Sequence, residues 1–387
     1  MNHNMKFFII FAVLSVLVAA PFIIPDAAYA DKLTDAIAKT PVGTEKGQID
    51  TKAEPGYLGI PGGPKVNLIV AFLWAVWVGW IFSTVGAFGG IMAGVGHITV
   101  FKLGAYAGTF KDSSPMLNKV VTDSIRVSNQ FLVGMSALIT SIKYYQLGRL
   151  VLPLGVALAI GSISGSYLVP LLTAGKVSFK AYQGYFGLFV LLLGAWMLYE
   201  TTPMGQASKK KAKQAADAFE KTMKEQRAGA NVDTKSLGVK VTGFTATKFS
   251  FTFYGVEFSF NPWYPVIGGF VIACIASFIG VGGGFLLVPF LTSISGLPMF
   301  LAAGTSALAV LIGMITSIIS YLQQGVIVHW SLIGLEMVGI VVGSLVGPTT
   351  QKYISDKWLK RLFIILAFVT GIDYALKGFF GIKLIPG

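Results

Sequence analysis

The chain has 387 residues, 54% of them hydrophobic and only 12% charged, whereas a soluble domain typically carries about 25% charged residues. Several apolar runs exceed about 18 residues, which implies an all-α polytopic membrane protein in the cell membrane, with a bacterial inner membrane as the expected setting. The net charge of +13 sits on no soluble fold that could present a basic stripe. Nucleic acid is therefore excluded as a partner, and lysines in loops facing the cytoplasm and anionic lipid account for the excess. One cysteine and three histidines are too few for a disulfide framework, a metal cluster or a nucleophile–base set, and there is no Walker A sequence. Enzyme chemistry, cofactors and metals are not expected.

The chain opens with Lys6 ahead of an apolar run over 7–24, and Ala28-Tyr29-Ala30 resembles a small-x-small cleavage site. Residues 1–30 read equally as a signal peptide or an extra N-terminal helix. Residues 31–65 are polar, with Pro41, Pro55 and Gly62-Gly63-Pro64, and read as an extended tail.

Two long apolar stretches follow, 68–105 and 263–291, each longer than the roughly 20 residues one crossing needs. Each contains a glycine cluster: Ala93-Gly94-Val95-Gly96-His97 in the first and Ile279-Gly280-Val281-Gly282-Gly283-Gly284 in the second. Glycine is a poor helix former, so both clusters predict a helix that stops at membrane depth. Other segments recur in the same order at drifting offsets. Ile139-Thr140-Ser141-Ile142 reappears as Ile315-Thr316-Ser317-Ile318, and Gly161-Ser162-Ile163-Ser164-Gly165 as Gly343-Ser344-Leu345-Val346-Gly347. The expectation is two homologous transmembrane repeats, 66–200 and 262–380, each of four helical elements with a glycine-broken first helix. A short C-terminal tail, 381–387, follows.

Between the halves lies a polar insert, 201–261. Its Lys-, Ala- and Glu-rich stretch 208–227 predicts a charged helix. Period-two hydrophobics around Tyr254-Gly255 predict a β-hairpin. Ten Lys or Arg against four Asp or Glu over 209–248 favour a cytoplasmic insert. That side conflicts with a cleaved signal followed by four crossings, and nine crossings with the N-terminal helix retained would reconcile it.

The run Ala276-Ser277-Phe278-Ile279-Gly280-Val281-Gly282-Gly283-Gly284-Phe285-Leu286-Leu287-Val288-Pro289, with Ala302-Ala303-Gly304-Thr305-Ser306 and Gln324-Gly325-Val326-Ile327-Val328-His329-Trp330, resembles the repeat of the sulfite exporter TauE/SafE family of membrane permeases. The resemblance covers about 66–200 and 263–380. The first half departs from it: His97 stands where the second has Gly283, and no proline follows at the expected spacing. The resemblance implies secondary transport of small sulfur-containing anions or organic acids such as sulfite, sulfoacetate and taurine-related sulfonates.

The residues themselves agree with an anionic cargo. A stopped helix leaves N–H groups unpaired at a partially positive end, and successive glycine amides form a nest for oxyanions. Gly282, Gly283, Gly284 and Phe285 are the expected donors in the second half, with Gly94, Gly96, His97 and Ile98 as their first-half counterparts. Glycines that merely let helices cross closely are the plain alternative. Thr305 and Ser306, with Ser128 and Asn129 as their equivalents, would complete the site, unless they bond only their own helix carbonyls. His97 and Glu336 are candidates for proton coupling. Arg126 reads as a snorkelling anchor near a membrane edge.

The expected function is alternating-access transport of a small anion at facing broken helices. An anion channel, or a membrane subunit docking through the insert, is the alternative. The lipid bilayer is the expected surrounding, and a homodimer stays open.

Overall fold

The computed structural model describes residues 26–85, 89–207, 237–279, 284–293, 295–350 and 356–382, with Tyr353 and scattered positions of 214–225. The apolar run 7–24 lies outside them, as does most of the expected charged helix, whose described positions are helical. The described chain is mostly helical, with one small sheet, and four of its helices are long and apolar enough to cross a membrane.

Helix α1 (Asp26–Ala38) opens the polar tail. Helix α2 (Leu68–Val85) is followed by α3 (Gly89–Val95), which runs on into a π-helical turn (Gly96–Val100) and, after a bend, into α4 (Leu103–Thr109). Long helix α5 (Pro115–Gln146) starts where Ser114 accepts from Leu117 N and Pro115 fills the first turn, an N-cap arrangement that satisfies one free amide. Helices α6 (Leu152–Thr173), α7 (Phe179–Thr201) and α8 (Pro203–Ala207) complete the first half. The second half contains α9 (Trp263–Ile279), α10 (Gly284–Ser293), α11 (Met299–Gln323), α12 (Trp330–Thr350) and α13 (Asp356–Ala375), ending in a π-helical segment (Leu376–Phe380).

The expected break at 93–97 is not there. Backbone hydrogen bonding continues through these residues, and Phe101 N still reaches Gly96 O at 2.8 Å. The chain instead reverses between α2 and α3. A Cβ on Gly89 would meet Phe82 Cβ at 2.3 Å, and Trp74 Nε1 donates to Met92 O at 2.9 Å. Gly96 lies under the same indole, 2.4 Å from a built Cβ. Gly96 is thus the seat of Trp74, the close-packing alternative, because a bulky ring leaves no room for a side chain opposite it. In the second half α9 ends at Ile279 and α10 begins at Gly284. Gly280, Val281, Gly282 and Gly283 lie outside the described residues. The ring and the glycine exchange places here: a Cβ on Gly268 would meet the Phe290 ring at 2.5 Å.

Helix directions follow from close glycine contacts. α2 and α12 run parallel: built Cβ atoms on Gly339 and Gly343 meet Phe72 O at 2.7 Å and Val76 O at 2.0 Å. α9 and α6 also run parallel: a Cβ on Gly161 would meet Val266 O at 1.8 Å and one on Gly165 would meet Phe270 O at 2.7 Å. α5 and α11 are antiparallel, since Arg126 meets Tyr321, Gly134 meets Met314 and Tyr144 meets Gly304. α7 and α13 are antiparallel too, through Gly184 against Phe379, Gly187 against Tyr374 and Gly194 against Ala367.

Because α2 and α3 return to their starting end, only α5, α6 and α7 separate the tail from the insert, which therefore sit at opposite ends of the bundle. The tail bonds Ser114 and the 324–329 loop. The insert bonds Gly148, with Val239 N to Gly148 O at 2.9 Å.

The insert carries an antiparallel sheet in the order β1 (Lys240–Phe244), β2 (Phe249–Phe253), β3 (Val256–Phe260). β2 and β3 form a hairpin around Tyr254 (φ 48°) and Gly255 (φ 76°), the two left-handed positions a tight type I′ turn needs. Phe249, Phe251 and Phe253 point to one buried face, and Phe253 packs on Phe300 at the start of α11.

Candidate functional site

Among the described residues, buried polar side chains converge between the π-helical turn after α3, α5 and α12. His97, in the π-helical turn, is fully buried. Its Nδ1 faces two oxygens, Asn129 Oδ1 at 2.7 Å and Ala93 O at 3.2 Å, so it donates. Its Nε2 stands 3.2 Å from Glu336 Oε2. His97 thus sits in a π turn, and such turns are frequent at functional sites. Among the described residues, Glu336 Oε1 and Asn129 Nδ2 have no hydrogen-bond partner. The contact is a hydrogen bond only with a proton between Nε2 and Oε2, and a pair holding that one proton would be neutral overall. An unpaired charge here would be expensive, which is why the two groups lie together.

Ser128 and Tyr57 lie beside this pair. The Tyr57 hydroxyl is 2.9 Å from Ser124 Oγ, and its ring stacks on His329 at 5.4 Å and 9°. Burial pushes the Tyr57 phenol up to about 12, so it stays protonated throughout the physiological range.

A second cluster surrounds Arg126, which is fully buried rather than a snorkelling anchor. Nη1 donates to Asp123 Oδ1 at 2.9 Å, and Nη2 donates to Phe278 O at 2.7 Å and to Thr173 Oγ1 at 3.1 Å. Its guanidinium also lies over the Tyr321 ring at 5.0 Å. A cation placed on the last carbonyls of α9 complements the negative end of that helix. Above it, at the tail end of the bundle, is a cavity of about 730 Å³ lined by Lys32, Lys119, Asp123, Gly175 and Gln324.

The structure brings together only part of the expected set. His97, Asn129, Ser128 and Glu336 converge. Gly94 lies under Phe186, and the backbone at Gly94, Gly96 and Ile98 is helical, so those positions form no open nest. Thr305 Oγ1 accepts from Val151 N at 3.1 Å, and Ser306 bonds Ala303 O in its own helix. Both serve the opposite end of the bundle. Gly284 opens α10 and is buried. Gly282, Gly283 and the side chain of Phe285 lie outside the described residues. Tyr57 and Asp123 had not been singled out. Asp123 sits three residues before Arg126, a helix-face spacing that carries the signal. Nothing local to Tyr57 marks it.

The family model for "Sulfite exporter TauE/SafE" matches residues 70–374. The chain is also similar to the "Probable membrane transporter protein MJ0441" of Methanocaldococcus jannaschii, 32% identical over 127 residues, which is 31% of this chain and 48% of that protein. The chain thus spans about half the length of this curated relative. No solved structure matches it. With a match across most of its length and a bundle of membrane-crossing helices, the chain belongs to the sulfite exporter TauE/SafE family of membrane transporters.

Proposed function

We propose that the protein is a secondary transporter that moves a small anion, sulfite or an organosulfonate, by alternating access between two inverted halves. The observation that carries the proposal is the His97–Glu336 contact. It joins the re-entrant arm of one half to a membrane-crossing helix of the other, inside the bundle, with no water-exposed surface.

Several contacts support an inverted duplication. Trp74 over Gly96 is answered by Phe290 over Gly268, and Phe72–Gly339 by Val266–Gly161. The Tyr144 hydroxyl donates to Ser83 O at 3.0 Å, and the Tyr321 hydroxyl donates to Ser277 O at 3.4 Å. This registration pairs the end of α2 with the end of α9. It also pairs Gly161 and Gly165 with Gly339 and Gly343, one helical turn from the match that the short motifs suggest. Counterpart helices α5 and α11, and α7 and α13, run antiparallel. Inverted repeats around a central site are the architecture of rocking transporters.

The pair also supplies coupling. With one proton the site is neutral. An anion beside Glu336 is tolerated when a second proton is bound, so anion and proton enter together. Asn129 and Ser128 supply hydrogen-bonding groups for the cargo oxygens. The insert, with its ten basic against four acidic residues over 209–248, lies inside, and the tail, with five of each over 31–65, lies outside. The fold-back of α2 and α3 removes the conflict over sides, because it changes the number of crossings.

Purified protein screened with sulfite, sulfate, thiosulfate, sulfoacetate and taurine tests the cargo, since a ligand that prefers the folded form raises the melting temperature. One sulfur oxyanion should do so and should be taken up by proteoliposomes with protons. Glu336→Gln should abolish the coupled uptake while leaving the fold intact. Unchanged proton-coupled uptake in that variant would overturn the assignment.

A further inference from the structure

Tyr57 belongs to none of the membrane-crossing helices and precedes the part of the chain that the family model matches, yet it is 1% exposed. Its ring lies between α5 and His329, the residue just before α12, and caps the same stretch of α5 that presents Ser128 and Asn129. The backbone around it is a closed loop. Gly56 N donates to Ile60 O at 2.9 Å, Tyr57 N donates to Pro64 O at 3.1 Å, and Leu58 is held left-handed at φ 58°. A non-glycine residue in that conformation costs about 1–2 kcal/mol and persists only where its surroundings impose it.

The rest of the tail is fastened to the bundle at few polar points. The Thr40 and Ser114 hydroxyl oxygens are 2.7 Å apart, and Lys32 donates to Gln324 O. The tail ion pairs Lys39–Asp35 and Lys65–Glu54 are internal to the tail and exposed. Lys32 also forms part of the wall of the 730 Å³ cavity. Ala36, Ile49, Leu58 and Ile60 are buried with the core, so apolar contact rather than polar bonding holds the tail down, and a segment folded within itself comes away as a unit.

We propose that residues 26–65 form a strap over the outer mouth of the transporter, with Tyr57 as its stopper, and that the strap lifts to admit cargo to the His97–Glu336 pair. This rests on the transport reading above. It extends that reading by making the structure an outward-closed state whose closure comes from a segment beyond the permease core.

The test uses full-length protein carrying Cys274→Ser and a Ser128→Cys reporter, labelled from outside with a small, negatively charged methanethiosulfonate. With Tyr57 in place the reporter should react slowly. Tyr57→Ala should raise the rate at least tenfold, whereas Tyr57→Phe, which keeps the ring, should stay within twofold of the parent. An unchanged rate in well-folded Tyr57→Ala protein would overturn the strap. In a second arm, Thr40→Cys with Ser114→Cys, oxidised to a disulfide, should stop sulfite uptake, and reduction should restore it. Uptake indifferent to that cross-link would also overturn the proposal, and this arm decides the matter should Tyr57→Ala fail to fold. A labelling response without uptake of any anion would leave the strap standing and remove the cargo assignment.

Discussion

At the end of α2 the Ser83 carbonyl receives a neutral hydroxyl, that of Tyr144. At the end of α9 the Ser277 carbonyl receives the equivalent Tyr321 hydroxyl, and the next carbonyl receives a buried guanidinium as well. The two re-entrant hairpins share a backbone plan, a ring-over-glycine contact and a tyrosine clasp. They differ in charge. The first contributes His97 to the pair with Glu336, while the second is held by Arg126, which in turn needs Asp123. Packing is alike in the two halves while the chemistry differs, and Arg126, Asp123 and the His97–Glu336 pair all lie toward the tail end.

The sharpest way to break this comparison is at the charged clasp. Arg126→Leu leaves the buried Asp123 carboxylate with the Gly175 amide but without its paired guanidinium, and stability should fall by about 3–5 kcal/mol, read as a lower melting temperature in detergent. Adding Asp123→Asn should recover much of that loss. Next come the binding groups. Asn129→Ala should reduce sulfite uptake at least tenfold, equivalent to about 1.4 kcal/mol, whereas its counterpart Ser306→Ala should leave uptake within twofold, because Ser306 bonds only its own helix. Packing should respond alike in both halves: Gly161→Ala and Gly343→Ala each force a methyl against a facing carbonyl and should each destabilise by about 1–3 kcal/mol. A large inequality between the two would argue against a shared plan. The smallest effect belongs to the tyrosines. Tyr144→Phe should cost about 0.5–1.5 kcal/mol, and Tyr321→Phe less, since Arg126 remains on the same helix end.

Membrane class, family and the hairpin at Tyr254-Gly255 were legible in the residues because each depends on local or compositional rules. Glu336 was legible because a carboxyl inside an apolar span calls for a partner. The first helix break was misplaced because glycine has two uses that composition does not separate. At Gly96 it makes room for an indole 22 residues away in the chain, and it does not interrupt the helix. Arg126 was misjudged for a related reason: its partners, Phe278 O and Tyr321, come from the other half of the chain. Tyr57 could not be read at all, since a lone tyrosine in a polar tail gains its meaning only from His329 and Ser124, which are distant in sequence.

The parallel seating of α2 along α12 and of α9 along α6 has a consequence for how the protein is made. Each hairpin completes its apolar contacts only on a helix encoded in the opposite portion of the gene. Neither portion produced separately could shield its first apolar stretch, so a protein cut within the 201–261 linker should insert productively only when both fragments are synthesised together. The ribosome would have delivered most of α12 before α2 finds its permanent neighbour.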